Sequence, residues 1–118
     1  MKTPTKEELL QIADTTAIAK TLANCWPTLH NEEQQEFCLE QIYELIENTI
    51  PYPPEFSMYS QGKKAQYEID IDMTIITITF KDIGKLLFQD KKTSDYFWEL
   101  VGSRKDKRNQ QIYKKLFN

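Results

Sequence analysis

Hydrophobic residues in the N-terminal part of the chain recur every three or four positions, which is the spacing of amphipathic helices. Thr5 and Glu8 match a capping box, in which each side chain bonds the other residue's backbone amide, so we predict a helix that begins there. We expect it to continue to about Asn24, ahead of Pro27. The inward residues of this predicted helix are small or aliphatic: Leu9, Ile12, Ala13, Thr16 and Ala17.

A second helix is predicted from a cap at Asn31 with Gln34 at the third helical position. It should end before Pro51, because proline cannot continue a helix, and residues 51–54 (Pro-Tyr-Pro-Pro) should form an extended connector. Its apolar residues share one predicted face: Phe37, Cys38, Ile42, Leu45, Ile46 and Thr49.

Beyond the connector the hydrophobic period changes from about 3.6 to 2, which is the pattern of a half-buried strand. We predict a hairpin with a first strand at residues 56–60, a turn at 61–64 and a long second strand at 67–80. The apolar phase shifts by one after Ile75, which indicates a bulge. The exposed edge of such a strand favours a homodimer or a partner that adds a strand to it.

Helical spacing returns in the last third of the chain. We predict a short helical turn at residues 82–88, a helix capped by Thr93 or Ser94, and a terminal helical stretch at residues 104–117 after Gly102. The expected fold class is therefore α+β, with two N-terminal helices, a central antiparallel hairpin or small sheet, and C-terminal helices packed on it.

Composition adds that the 118 residues suit one compact domain over positions 1–118, because 40% are hydrophobic and 28% are charged. The longest apolar run, residues 73–80, is too short to cross a bilayer, and no signal-peptide pattern is present, so we expect a cytoplasmic protein. Two cysteines, Cys25 and Cys38, with the single His30 do not make a zinc set. We therefore expect reduced thiols and no cofactor.

The charge is unevenly distributed, with ten acids and three lysines in residues 1–60 but twelve bases and eight acids in residues 61–118. The second predicted helix carries six glutamates and no base between positions 32 and 47. Like charges at this spacing repel one another, so a basic partner protein is a candidate to balance them. An ordinary solvated helix face is the favoured interpretation of the charges by themselves. The candidate partner-binding residues are Glu36, Glu40, Glu44 and Glu47.

A metal site is an alternative interpretation of the predicted second strand, because alternate residues of a strand share one face. Its three carboxylates are Glu68, Asp70 and Asp72. With the preceding Gly62, the pair Asp70 and Asp72 resembles the nucleotidyltransferase family, whose two alternate aspartates hold magnesium and imply nucleotidyl or phosphodiester chemistry. Lys63 stands where that family has serine, and residues 73–80 contain no third carboxylate. A solvated strand face is the favoured interpretation.

A basic cluster near the C-terminus supports a third interpretation, a module that binds nucleic acid. Its residues are Arg104, Lys105, Lys107, Arg108, Lys114 and Lys115. No zinc-finger spacing, glycine-rich loop or aromatic strand motif accompanies the cluster. A solvated helix face, or pairing with the glutamates of residues 32–47, is favoured over nucleic acid.

No arrangement of nucleophile, base and acid is apparent in the sequence, so we do not expect an enzyme. The favoured function is a small cytosolic protein-binding module of the inhibitor, immunity or antitoxin type that acts on a basic partner through the acidic helix. The magnesium-dependent enzyme using Asp70 and Asp72 and the nucleic-acid-binding module remain the alternatives.

Overall fold

The computed structural model describes residues 3–50 and 61–118, and these form seven α-helices and one short 3-10 helix with no strand. The elements are α1 (Lys6–Ile12), α2 (Thr15–Cys25), the 3-10 helix (Trp26–Thr28), α3 (Glu32–Asn48), α4 (Gln61–Ile75), α5 (Phe80–Phe88), α6 (Lys91–Val101) and α7 (Lys107–Phe117). The predicted α+β class is therefore wrong for the described residues, and the fold is all-helical.

Six helices begin at a residue whose side-chain oxygen accepts a bond from a backbone amide of the first turn. These caps are Thr5, Asp14, Asn31, Thr79, Asp90 and Asp106. The capping box predicted at Thr5 and the cap predicted at Asn31 are both confirmed. A second capping box, between Thr79 and Asp82, starts α5.

The predicted first helix is broken in two. Ala13 has an extended backbone, and Asp14 accepts a bond from the amide of Ala17, so α1 ends at Ile12 and α2 starts afresh. The break turns the chain, because an extended residue interrupts the helical ladder. Leu9 of α1 and Ile18 of α2 are both fully buried as a result.

The predicted long strand at residues 67–80 is wrong, because residues 61–75 form α4 and Phe80 starts α5. A period of two contains a period of four, so every second apolar residue of the alternating run also falls on one face of a helix. That face is buried at Tyr67, Ile71 and Ile75. The apolar residues between them, Ile69 and Met73, are 54% and 61% exposed.

Three further expectations concern residues 51–80. The predicted first strand at residues 56–60 and the extended connector at residues 51–54 lie outside the described residues. The homodimer through an exposed strand edge loses its basis, because residues 67–80, which were to supply the edge, are helical apart from the turn between α4 and α5.

The C-terminal elements are helical as predicted, but two of them start earlier than expected. Helix α6 is capped by Asp90, which accepts from the amide and the hydroxyl of Thr93, so the predicted cap at Thr93 or Ser94 is wrong. Helix α5 begins at Phe80 rather than at residue 82. Gly102 does end α6, with a positive φ of 111° that favours glycine.

The core is built around Trp26 in the 3-10 helix, which packs on Phe97 of α6 with ring centroids 4.9 Å apart. The Trp26 indole donates to the side-chain oxygen of Asn109 in α7 at 3.0 Å. Helix α7 also approaches α5 closely at Gly84, where a Cβ atom would lie 2.5 Å from the Phe117 ring. These contacts hold the C-terminal helices against α2 and α5.

None of the helices within residues 3–50 and 61–118 is long and apolar enough to cross a membrane. Cys38 is buried in the core, Cys25 is half-buried, and both thiols are free. Burial and the neighbouring Cys25 thiol raise the pKa of Cys38 well above its usual range. Cys38 is therefore a packed, unreactive thiol.

Candidate functional site

Helix α3 presents all six of its glutamates to solvent: Glu32, Glu33, Glu36, Glu40, Glu44 and Glu47. None of them forms an ion pair with a described residue, because the ion pairs found there join Lys6 to Asp82 and Lys91 to Asp95. The opposite side of the helix is buried in the core through Cys38, Ile42 and Ile46. The negative charge of α3 is thus left uncompensated within the described part of the chain.

Phe37 lies on the exposed side of α3, although the sequence pattern placed it on the apolar face. Its side chain is 52% exposed. Glu33 precedes it by four residues and Glu40 follows it by three, so both are its neighbours on the helix surface. A large aromatic ring therefore stands beside two carboxylates, and its other two neighbours at this spacing are Gln34 and Gln41.

The acidic surface continues from α3 onto α4. Helix α3 packs along α4, and Tyr43 of α3 donates its hydroxyl to the carbonyl oxygen of Ile78, in the turn that follows α4, at 2.6 Å. Partial burial raises the pKa of Glu47, and the charges of Asp72, Glu44 and Glu68 raise it further. The packing of α3 on α4 places carboxylates of both helices along their common border. We call Glu36, Glu40, Glu44 and Glu47 with Glu68 and Asp72 the acidic face.

An apolar row borders the acidic face on α4. It consists of Ile69 and Met73 of α4 and Ile76 directly after its end, which are 54%, 61% and 61% exposed. Asp72 follows Ile69 by three residues and precedes Ile76 by four, so it connects the apolar row to the acidic face. Exposed apolar residues grouped on one side of a helix are a common feature of interaction sites.

The metal interpretation fails on geometry. Successive residues of a helix are rotated by about 100°, so Glu68 and Asp72 share one side of α4 while Asp70 points away from them. Asp70 instead accepts a hydrogen bond from the side-chain amide of Gln66 at 2.9 Å. Within residues 3–50 and 61–118 no group of three or more metal-ligating side chains could hold an ion. The predicted single face of three carboxylates is therefore wrong.

The basic C-terminal cluster is divided between different surroundings. Lys115 donates to the carbonyl oxygen of His30 at 2.8 Å, and the guanidinium of Arg104 lies over the Trp98 ring. Lys105 and Lys107 are exposed beside the cap of α7, and Arg108 borders a groove near Trp26. No ion pair joins the cluster to the glutamates of α3, so that expected pairing is absent between these two described segments.

Comparisons of the chain with protein-family models, with curated proteins and with solved structures found no match.

The raised pKa of Glu47 leads to a stability prediction. An ionised carboxylate whose folded-state pKa is raised destabilises the fold above that pKa, and protonation removes the penalty as the pH falls. Glu47 also lies in the last turn of α3, where the helix dipole disfavours a negative charge. Because Glu47 is exposed, solvent screening keeps the effect small, and Glu47→Gln should raise the free energy of unfolding by about 0.2–0.5 kcal/mol at pH 7, measured by urea denaturation.

This gain should disappear as the pH falls below about 4.3, where glutamate is protonated even in the unfolded chain. The matched control is Glu99→Gln, an exposed glutamate of α6, which should change stability less at either pH. A Glu47→Gln protein less stable than the parent at pH 7 would contradict the carboxylate cluster.

Proposed function

We propose that the protein binds another protein whose contact surface is basic and partly apolar, using the acidic face together with Phe37 and the apolar row. The observation that carries the proposal is Phe37, a half-exposed ring on the same side of α3 as the uncompensated glutamates. A solvated charged face needs no aromatic ring, whereas an interface uses one as an anchor. The neighbouring Asp72 and apolar row extend the same combination of charge and apolar surface onto α4.

The charge of the surface defines the partner. Complementary charges raise association rates and exclude partners of the same sign. Six glutamates without a base on α3 would repel an acidic or phosphate-bearing surface and attract one rich in arginine and lysine. Arginine is the better match, because its guanidinium bonds carboxylates and also stacks on an aromatic ring such as Phe37.

The apolar residues supply affinity that charge alone does not. Exposed ion pairs contribute little, commonly about 0–1 kcal/mol each, because water screens them. Burial of apolar surface contributes about 25 cal/mol per Å². A partner that covers Phe37 and the apolar row would gain binding free energy from this burial. A basic amphipathic surface therefore fits better than a purely charged one.

A partner that uses its basic surface to bind nucleic acid would be blocked by this contact. That is the sense in which we propose an inhibitor, immunity or antitoxin type of action, and the protein needs no catalytic group for it. No specific observation favours the magnesium-dependent enzyme, because the carboxylates on which it depended do not share a face.

The test is capture of the partner with three forms of the protein as bait. The parent protein should retain a basic protein at low salt and release it at about 1 M salt, where the Debye length falls to about 3 Å. Phe37→Ser should lose that protein, because it removes the anchor without changing the charge. Leu100→Ser is the matched control, since Leu100 is also a partly exposed apolar residue but lies on α6.

The identity and charge of the retained protein are read by mass spectrometry. The proposal fails if the retained proteins are acidic, if Phe37→Ser retains the same basic protein as the parent, or if Leu100→Ser loses it equally.

A further inference from the structure

A cavity of about 400 Å³ opens between α5, α6 and α7, on helices other than those that carry the acidic face. Three aromatic side chains form its walls: Phe88, Trp98 and Tyr113. Four polar side chains, Ser94, Arg104, Gln110 and Lys114, also line it. A mostly apolar cavity of this size with a few polar groups is the usual form of a small-ligand site.

The aromatic walls are held in place by one another. The Phe88 and Trp98 rings are stacked with centroids 5.7 Å apart, and the Tyr113 ring lies 5.3 Å from Phe88 and 5.7 Å from Trp98. Trp98 is also fixed from behind by Phe97, 5.2 Å away in the core. Trp98 is only 8% exposed and its ring already packs on Phe88, so the partly exposed Tyr113 ring is the surface that a planar group could stack on.

The polar side of the cavity is positively charged. The Arg104 guanidinium lies 5.9 Å from the centroid of the Trp98 ring and donates to the Ser94 hydroxyl at 3.4 Å. The carbonyl oxygen of Arg104 accepts from the Gln110 side chain, which ties this loop residue to α7. Neither Arg104 nor Lys114 forms an ion pair with a described residue, and the cavity lining contains no carboxylate.

These groups together define the ligand. Arg104 offers a planar fork of donors that matches phosphate, Lys114 offers a second positive charge, and the Ser94 hydroxyl retains its own proton to donate. A phosphate group, with three acceptor oxygens and nearly two negative charges, uses all three donors. A singly charged carboxylate would leave one cation unbalanced.

We propose that this cavity binds a nucleotide, with the base stacked on the Tyr113 ring and the phosphate held by Arg104 and Lys114. The ligand chemistry is a planar base joined to a phosphate. A free mononucleotide and a nucleotide of a single-stranded nucleic acid both supply it. The inference is independent of the proposed protein partner, because none of the cavity residues lies on α3 or α4.

The geometry also limits the site to about one nucleotide. Of the six basic residues near the C-terminus, only Arg104 and Lys114 line this cavity. Lys115 is engaged with the carbonyl oxygen of His30, and Arg108 borders a different groove. Binding should therefore depend weakly on salt, as expected when only one or two phosphates are contacted.

The test is calorimetric titration of the whole protein, supported by tryptophan fluorescence, with adenosine monophosphate and uridine monophosphate. We expect saturable binding of at least one of them. Adenosine or uridine, which lack phosphate, and inorganic phosphate, which lacks a base, should each bind at least about tenfold more weakly, because each loses one half of the recognition.

Two variants assign the binding to this cavity. Arg104→Gln and Lys114→Gln should each weaken nucleotide binding by about tenfold, as expected for loss of a charged hydrogen bond. Both positions are exposed, so the fold should survive, which circular dichroism checks. The control is Lys105→Gln, which removes the same charge one residue away and should change binding by less than about twofold.

Single-stranded oligonucleotides distinguish the two sources. Binding of a hexanucleotide at least about tenfold tighter than that of the mononucleotide assigns the site to a strand, and equal binding assigns it to the free nucleotide. The proposal is overturned if neither nucleotide binds saturably, if phosphate alone binds as tightly as the nucleotide, or if Lys105→Gln weakens binding as much as Arg104→Gln.

Discussion

Replacement of Asn109 by alanine should lower the free energy of unfolding by about 2–4 kcal/mol. Asn109 is only 7% exposed, and its amide donates to the carbonyl oxygens of Val101 at 3.2 Å and Ser103 at 2.8 Å. Its side-chain oxygen accepts from the Trp26 indole. Alanine would leave this indole donor and two carbonyl acceptors without their partner, and each buried polar group left in that state costs about 1–3 kcal/mol.

Urea denaturation followed by far-ultraviolet circular dichroism measures the loss. Gln111→Ala is the matched control, because Gln111 is an exposed amide on the same helix, and it should change stability by no more than about 0.5 kcal/mol. A loss below about 1 kcal/mol for Asn109→Ala would mean that water replaces the side chain and that Asn109 does not hold α6, α7 and Trp26 together.

Reversal of charge in the double variant Glu40→Lys, Glu44→Lys should weaken binding to the captured partner by several kcal/mol, or at least about a hundredfold in affinity. Both residues are exposed on α3, and each reversal replaces attraction to a basic surface by repulsion. At low salt, a large part of the loss of affinity should appear as a slower association rate, because attraction between charges acts before the two proteins touch. The difference should shrink at about 1 M salt.

The control for this experiment is Glu7→Lys, Glu99→Lys, which makes the same change in net charge at exposed positions of α1 and α6. Its affinity should stay within about threefold of the parent. The fold of the reversed variant should survive, because none of the described residues forms an ion pair with Glu40 or Glu44. Equal losses in the two double variants would show that only the net charge matters and not the acidic face.

The helix starts were predictable where a polar side chain directly precedes an amphipathic stretch, as at Thr5 and Asn31. The strand predicted at residues 67–80 was wrong because the prediction rested only on the alternation of apolar and polar residues. Tyr67, Ile71 and Ile75 satisfy a period of two and a period of four equally, and the isoleucines favour a strand by propensity. In the structure these three residues are buried where α4 packs on α1 and α3, and this packing stabilises the helix. A local sequence pattern contains no information about such tertiary contacts.

The acidic residues of α3 were predictable as an exposed set, but the aromatic ring among them was not. Phe37 precedes the buried Cys38 by one residue and is rotated by about 100° from it, which a strict helical wheel would have placed outside the core. The cavity near Trp98 could not be found from sequence, because Phe88, Trp98, Arg104 and Tyr113 meet only when three helices are packed together.

The side-chain caps at six helix starts have a consequence for the rate of folding. Each cap bonds residues only two or three positions apart, so a helix start can form before any distant part of the chain arrives. Nucleation is the slow step of helix formation, and a cap lowers its cost. All-helical domains with mostly local pairing fold in microseconds to milliseconds, and stopped-flow mixing should find this protein at or beyond the fast limit of the instrument.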